Sequence, residues 1–117
     1  FDADTLATMK PGAVLINTSR GGVVDQDALL SAITTGHLFG AGLDVTDPEP
    51  LPTDHPLLHH DRIVVTPHVA SGTLSGKRRI FATAVGEVAR VLEGRRPHHL
   101  VNTKVAEHPR HQRSATQ

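Results

Sequence analysis

Apolar residues along the chain fall into three short unbroken runs and two longer periodic stretches. The runs are residues 13–17 (AVLIN), 38–45 (LFGAGLDV) and 62–66 (RIVVT). Each is too short for an ordinary helix and is flanked by glycine, proline or polar residues, which predicts buried strands. The glycines inside 38–45 allow close backbone approach. Between the first two runs, Asp25 is placed to cap a helix with Ala28, Leu29, Ala32 and Ile33 on one face, and Gly36 stands where a C-terminal capping glycine belongs. Residues 73–93 form the longest periodic stretch, with Ile80, Ala84, Val88, Val91 and Leu92 on one side and Gly94 at its close. A short helix holding Leu6 and Met9 is predicted near the start, capped by Asp2 or Asp4 and ended by Pro11-Gly12.

The connections are as informative. Residues 18–22 (TSRGG) read as a glycine-rich turn, and residues 47–56 hold four of the eight prolines, at 48, 50, 52 and 56, as a stiff extended loop. "RRPHHLVN" over 95–102 reads as a loop with a short strand, and the polar stretch from Glu107 to Gln117 as a disordered tail. Strands alternate with helices, and every strand is apolar along its length. That is the pattern of an α/β fold whose parallel sheet is covered on both faces. In such sheets ligands bind beyond the carboxyl ends of the strands. Thr18, Ser19 and Arg20 follow the first strand, Asp44 ends the second with Glu49 in the loop beyond, and His68 follows the third. Three strand ends thus deliver polar or charged groups to one edge.

Composition narrows the class without changing this picture. Lys+Arg and Asp+Glu balance at 12 each among 117 residues, so nothing points to nucleic acid or to an acidic membrane surface. No apolar run approaches the roughly 20 residues of a membrane span, and no basic-then-apolar leader is visible. The absence of cysteine removes disulfides, thiolate metal sites and a cysteine nucleophile, and fits a reducing, cytoplasmic setting. With three Phe and no Trp or Tyr, the core must come from aliphatic side chains. The chain starts at Phe1 directly in a helix start, which suggests a piece of a longer protein.

Alone, Arg20, Glu49 and His68 are each an ordinary loop side chain. Together they have a chemistry. A guanidinium in a tight turn offers a planar fork to a carboxylate or carbonyl. A histidine exchanges a proton near neutral pH, and a neighbouring carboxylate fixes its tautomer. Glu49 lies between Pro48 and Pro50, and Pro67 pins the backbone before His68. Arg, Glu and His at three strand ends suit reduction of a 2-keto acid, with hydride supplied by a cofactor.

"MKPGAVLINTSRGGVVDQDALLSAITTGHLFGAGLDVTDPEPLPTDHPL" followed by "IVVTPHVASGT" resembles the D-isomer-specific 2-hydroxyacid dehydrogenases over about residues 1–102. "INTSRG" with "VVDQDAL", "AGLDV" with "EP", and "TPH" come in that family's order, and "GLDVTDPEPLPTDHPL" looks most like its glyoxylate/hydroxypyruvate reductase branch. The resemblance implies the second half of a Rossmann-type doubly wound parallel sheet, plus a long C-terminal helix leading to a substrate domain. The implied domains are a partial NAD(P)-binding domain over 1–72, a helix and return segment over 73–102 in which "HHLVN" matches that domain's last strand, and a tail over 103–117. It further implies that Arg20 binds the substrate carboxylate and keto oxygen, that Glu49 pairs with the histidine, and that His68 is the acid/base. Thr18 and Ser19 match positions beside the nicotinamide end of NAD or NADP, and Asp44 matches a contact of the nicotinamide carboxamide. Val69, Ala70 and Ser71 match the loop beside the nicotinamide ribose. Formate dehydrogenases, a related branch, carry Gln where Glu49 stands. A small 2-keto or 2-hydroxy acid is the implied partner, and a homodimer the implied full-length assembly.

The chain departs from the family in having no G-x-G-x-x-G, since neither "GGVV" nor "GAG" joins a strand to a helix start with an acid downstream. The expectation is that the phosphate-binding half lies upstream, and that the 117 residues alone are marginally stable and bind cofactor weakly or not at all. Two alternatives remain beside the reductase: a non-catalytic dinucleotide-sensing protein, as in related corepressors, and a truncated interaction protein. Among the nine histidines, His55, His59 and His60 with His98 and His99 raise the question of a metal, but Pro56 breaks the helical spacing and no further ligand cluster is visible, so no metal is expected. His108 and His111 read as solvated.

Overall fold

A computed structural model describes residues 1–107. Two compact units divide within it, 1–71 and from Gly72 onward. The expected disordered tail at 103–117 lies mostly outside the described residues, as do His108 and His111; residues Thr103–Glu107 form a 3₁₀ helix.

In the first unit, three parallel strands, β1 (Val14–Asn17), β2 (Gly40–Leu43) and β3 (Ile63–Val65), pair in the order β1-β2-β3. Helix α1 (Ala3–Ala7) is capped by Asp2, whose carboxylate accepts from the Thr5 amide. Helix α2 (Gln26–Thr34) is capped by Asp25, whose carboxylate accepts from the Ala28 amide, and ends before Gly36 at φ +80°. Each predicted strand is shorter than its apolar run. In the 38–45 run, Leu38 and Val45 are buried but lie outside the β2 ladder.

Within this unit the sheet has one covered face, where two were expected. Leu15, Ala41 and Leu43 pack with Leu6, Leu29, Ile33, Leu51 and Leu57, whereas Val14, Ile16 and Val64 are 52, 66 and 63% exposed. The winding accounts for this. Parallel connections are right-handed, and when successive strands are added in one direction every right-handed connection falls on the same face. The second face of a doubly wound sheet is covered by connections wound the other way. Gly42 suits this open face, because its missing Cβ would stand 2.9 Å from Ile16 Cδ1.

The proline-rich segment is anchored as well as stiff. Its Leu51 is buried, and it runs into a 3₁₀ turn at Pro56–Leu58 that buries Leu57 completely. Peptide bonds 47–48 and 49–50, on either side of Glu49, are cis. In the second unit, α3 (Leu74–Leu92) is capped by the Thr73 hydroxyl, which accepts from the Gly76 amide, and closes before Gly94 at φ +72°. The strand expected in "HHLVN" does not form: residues 98–102 are irregular, with no neighbouring strand to pair with among the described residues. No described helix is long and apolar enough to cross a membrane.

The covered face should dominate stability. In the 117-residue chain we expect Ile33→Val to cost about 0.5–1.5 kcal/mol, and Val64→Thr on the open face to stay within about 0.5 kcal/mol. Urea unfolding of the two variants checks the contrast, and equal losses would contradict the one-faced core.

Candidate active site

The candidate residues stand at the carboxyl ends of the three strands, and local hydrogen bonds sort them into two groups. At the end of β1, buried Asn17 closes the turn from both sides. Its Oδ1 accepts from the Ser19 amide at 3.0 Å, and its Nδ2 donates to the Arg20 carbonyl at 2.9 Å. The turn leads directly into a 3₁₀ helix at Gly21–Val23. Thr18, Ser19 and Arg20 are exposed on it, and the Arg20 guanidinium donates to the Ser19 carbonyl. No carboxylate among the described residues pairs with that guanidinium.

The second group spans β2 and β3. Asp44, buried at the end of β2, accepts three hydrogen bonds. Its Oδ1 takes the Thr66 hydroxyl at 2.5 Å and the Val69 amide at 2.8 Å, and its Oδ2 takes the Ala70 amide at 2.8 Å. The Thr66 hydroxyl, joined by the Ala70 and Val69 amides and the nearby His68, holds the Asp44 carboxyl below its ordinary value against the opposing pull of burial. Inside this clamp the chain turns tightly: the His68 amide donates to the Thr66 carbonyl across Pro67, and His68 takes φ +52°, a left-handed conformation uncommon outside glycine. The turn aims the ring at the proline loop, where His68 Nδ1 meets Glu49 Oε1 at 2.7 Å. A cleft of about 450 Å³ opens at this pair, with Leu51, Leu58, Val65 and Pro67 among its walls.

An ionised carboxylate only accepts hydrogen bonds, so the pairing assigns a proton to His68 Nδ1 and leaves Nε2 outside the contact. Arg20 does not join this pair. It stands two strands away, about 10 Å at the usual inter-strand spacing, with Asp44 on the strand between. Such a gap can be bridged by a small bifunctional acid. Asp44 stands out among the candidates because its oxygens already serve the turn after β3, and Val69 and Ala70 contribute backbone amides to it. Ser71 is exposed at the edge of the unit.

Sequence reading singled out neither Asn17 nor Thr66. Both carry a signal in retrospect, as polar residues that end apolar runs where a strand must hand over to a turn. Among the other described histidines, His37 meets the Leu6 carbonyl, His59 the Thr53 carbonyl, His55 and His60 nearby backbone amides, and His98 the Glu87 carboxylate. Among the described residues no three His, Asp or Glu side chains gather as a metal site would require.

The Asp44 clamp carries a pH signature. A carboxyl lowered on folding contributes stability above its ordinary value of 3.8, and that contribution is lost as pH falls through the lowered value. Asp2, lowered chiefly by the Thr5 hydroxyl, acts in the same direction. We expect Asp44→Asn to lower the unfolding temperature at neutral pH, with the gap from the unchanged chain narrowing below pH 3.8. Thermal melts across the acid range test this, and a gap that stayed constant would remove the charge from the explanation.

Known proteins share this arrangement of strands. A family profile for the "D-isomer specific 2-hydroxyacid dehydrogenase, NAD binding domain" matches residues 1–70. The glyoxylate reductase of Thermofilum pendens is 45% identical over 105 residues, which are 90% of this chain and 31% of that protein. A glyoxylate/hydroxypyruvate reductase B of Pectobacterium carotovorum is 45% identical over 102 residues, 87% of this chain and 32% of that one. Among solved structures, an NADPH-dependent glyoxylate/hydroxypyruvate reductase from Sinorhizobium meliloti, in complex with NADP and sulfate, superposes with a TM-score of 0.72 at 34% identity, covering 92% of this chain and 35% of that one. The chain thus spans about a third of the length of the relatives it matches. The profile over residues 1–70, with these likenesses in sequence and structure, places the chain in the family of D-isomer-specific 2-hydroxyacid dehydrogenases.

Proposed function

We propose that this chain supplies the acid–base part of an NAD(P)-dependent reductase acting on small 2-keto acids of the glyoxylate and hydroxypyruvate type. The observation that carries the reading is the 2.7 Å contact between His68 Nδ1 and Glu49 Oε1 at the carboxyl edge of a parallel sheet. The names of the relatives favour this substrate class.

The residues fit the nicotinamide end of a dinucleotide and not its phosphates. The carboxyl edge offers the exposed Thr18–Ser19 turn, the Val69–Ala70 backbone and an Arg without a carboxylate partner among the described residues. No glycine-rich strand-to-helix turn of the phosphate-binding kind occurs in the sequence. When bound, the nicotinamide supplies the hydride equivalent of the reduction. Thr18, Ser19, Val69, Ala70 and Ser71 would flank that end of the cofactor, and Asp44 would stand beside it while holding the turn.

The protein's own groups divide the remaining tasks. The Arg20 fork holds the substrate carboxylate and polarises the adjacent keto oxygen. Glu49 keeps the proton of His68 on Nδ1 and stabilises the imidazolium. His68 Nε2 then donates a proton to the keto oxygen as the hydroxyl forms, and in the reverse direction takes it back.

Tested in the protein encoded by its full reading frame, His68→Ala should lower reduction of glyoxylate and hydroxypyruvate by about 10²–10⁴-fold, with dinucleotide affinity nearly unchanged. Loss of NADH or NADPH absorbance gives the rate, and fluorescence quenching gives the affinity. A variant that kept most of its rate would eliminate the acid–base role.

A further inference from the structure

We infer that Gln26 is a positioning residue for the Glu49–His68 pair, acting through the backbone of Asp47; the inference rests on the acid–base role proposed above. The Gln26 amide grips both polar groups of one peptide residue 21 positions away. Its Nε2 donates to the Asp47 carbonyl at 2.5 Å, and its Oε1 accepts from the Asp47 amide at 3.1 Å.

The grip is mounted on a firm base. Gln26 is the first residue of α2, directly after the capping Asp25, so its backbone is fixed by the helix start. Two further contacts act on the same few residues. A Cβ on Gly21 would stand 2.1 Å from the Thr46 carbonyl group and 2.6 Å from the Asp47 nitrogen, so only glycine lets the chain pass there. The Thr46 hydroxyl donates to the Pro48 carbonyl at 2.9 Å. Residues 46–48 are therefore held from three sides, immediately before Glu49.

Glu49 itself has little else to hold it. Among the described residues its one hydrogen bond is the one to His68, and Pro50 removes the next backbone donor. The two side chains are 46% and 43% exposed. Pairs this exposed contribute little net stability, too little to order a loop for themselves. The pair forms because the backbone on each side is already placed, by Asp44 for the histidine and by Gln26 with Gly21 for the glutamate.

The test reads the hydrogen bond directly. In the full 117-residue chain, ring ¹⁵N shifts of His68 in alkaline buffer report which nitrogen carries the proton. The unchanged chain should show mainly the Nδ1–H form, and Glu49→Ala the mixture of a solvent-exposed imidazole. Gln26→Ala should move His68 at least halfway toward the Glu49→Ala pattern. Gln26→Glu, which keeps the acceptor for the Asp47 amide but loses the donor to its carbonyl, should fall between. The Val69 and Ala70 amide shifts, set by Asp44, should stay in place throughout. A Gln26→Ala spectrum identical to that of the unchanged chain would overturn the inference. So would displaced Val69 and Ala70 amides, which indicate general loosening, or an unchanged chain that already matches Glu49→Ala.

In the protein from the full reading frame, Gln26→Ala should lower kcat about tenfold with little change in KM. If the tautomer responds as expected but the unaltered protein reduces no keto acid, the reductase reading fails and the positioning role stands. If reduction is robust but the tautomer ignores Gln26, the reverse holds.

Discussion

A single buried carboxylate organises the end of the sheet. Asp44 is 6% exposed, and burying a charge in that setting is unfavourable unless donors replace its water. It finds three, all from the turn after β3: the Thr66 hydroxyl and the Val69 and Ala70 amides. Meeting those needs fixes where the chain goes after β3. The residue in the middle of the turn is left with a positive φ, a conformation that its neighbours impose rather than one it prefers. That residue is His68. Its orientation is thus set by hydrogen bonds in which its own side chain takes no part.

The partner loop obeys a similar rule by other means. Prolines at 48, 50 and 52 remove backbone donors, so the loop cannot secure itself with a ladder of its own. It borrows attachment from elsewhere: Leu51 and Leu57 in the core, and Gln26 and Gly21 against residues 46–47. Rigid backbone on both sides lets an exposed pair keep a short contact without depending on the strength of that contact. For proton transfer such preorganisation matters more than the net stability of the ion pair.

Features written in local rules were legible in the sequence. Asp25 as a cap, Gly36 and Gly94 past helix ends, and apolar runs as strands all follow from a few neighbouring residues, and all appear in the structure. The meeting of His68 and Glu49 was legible because prolines brace both residues and the resemblance pairs them. The open sheet face was not legible, because Val14, Ile16 and Val64 are as apolar as any covered residue, and only the direction of winding reveals that nothing in this unit packs on them. "HHLVN" has the composition of a strand, but a strand needs a neighbour, which composition cannot supply. Gln26 was illegible for a related reason. A glutamine at a helix start looks solvated until the loop 21 residues later is seen against it.

The positions of these contacts bear on how the fold divides its labour. Every interaction that shapes the His68–Glu49 pair comes from residues 21–70: Gly21, Gln26, Asp44, Thr46, Thr66 and the amides of Val69 and Ala70. All lie inside the stretch matched by the family profile. None draws on the open face of the sheet or on the free edge of β1. The geometry of the pair is therefore a local property of the strand ends and their connections. Phosphate recognition in Rossmann-type sheets belongs instead to a glycine-rich turn at another strand, a turn that this sequence does not contain. The two features are separable in structure: within the three-stranded sheet the Arg20 turn lies at one side of β2 and the clamped histidine at the other.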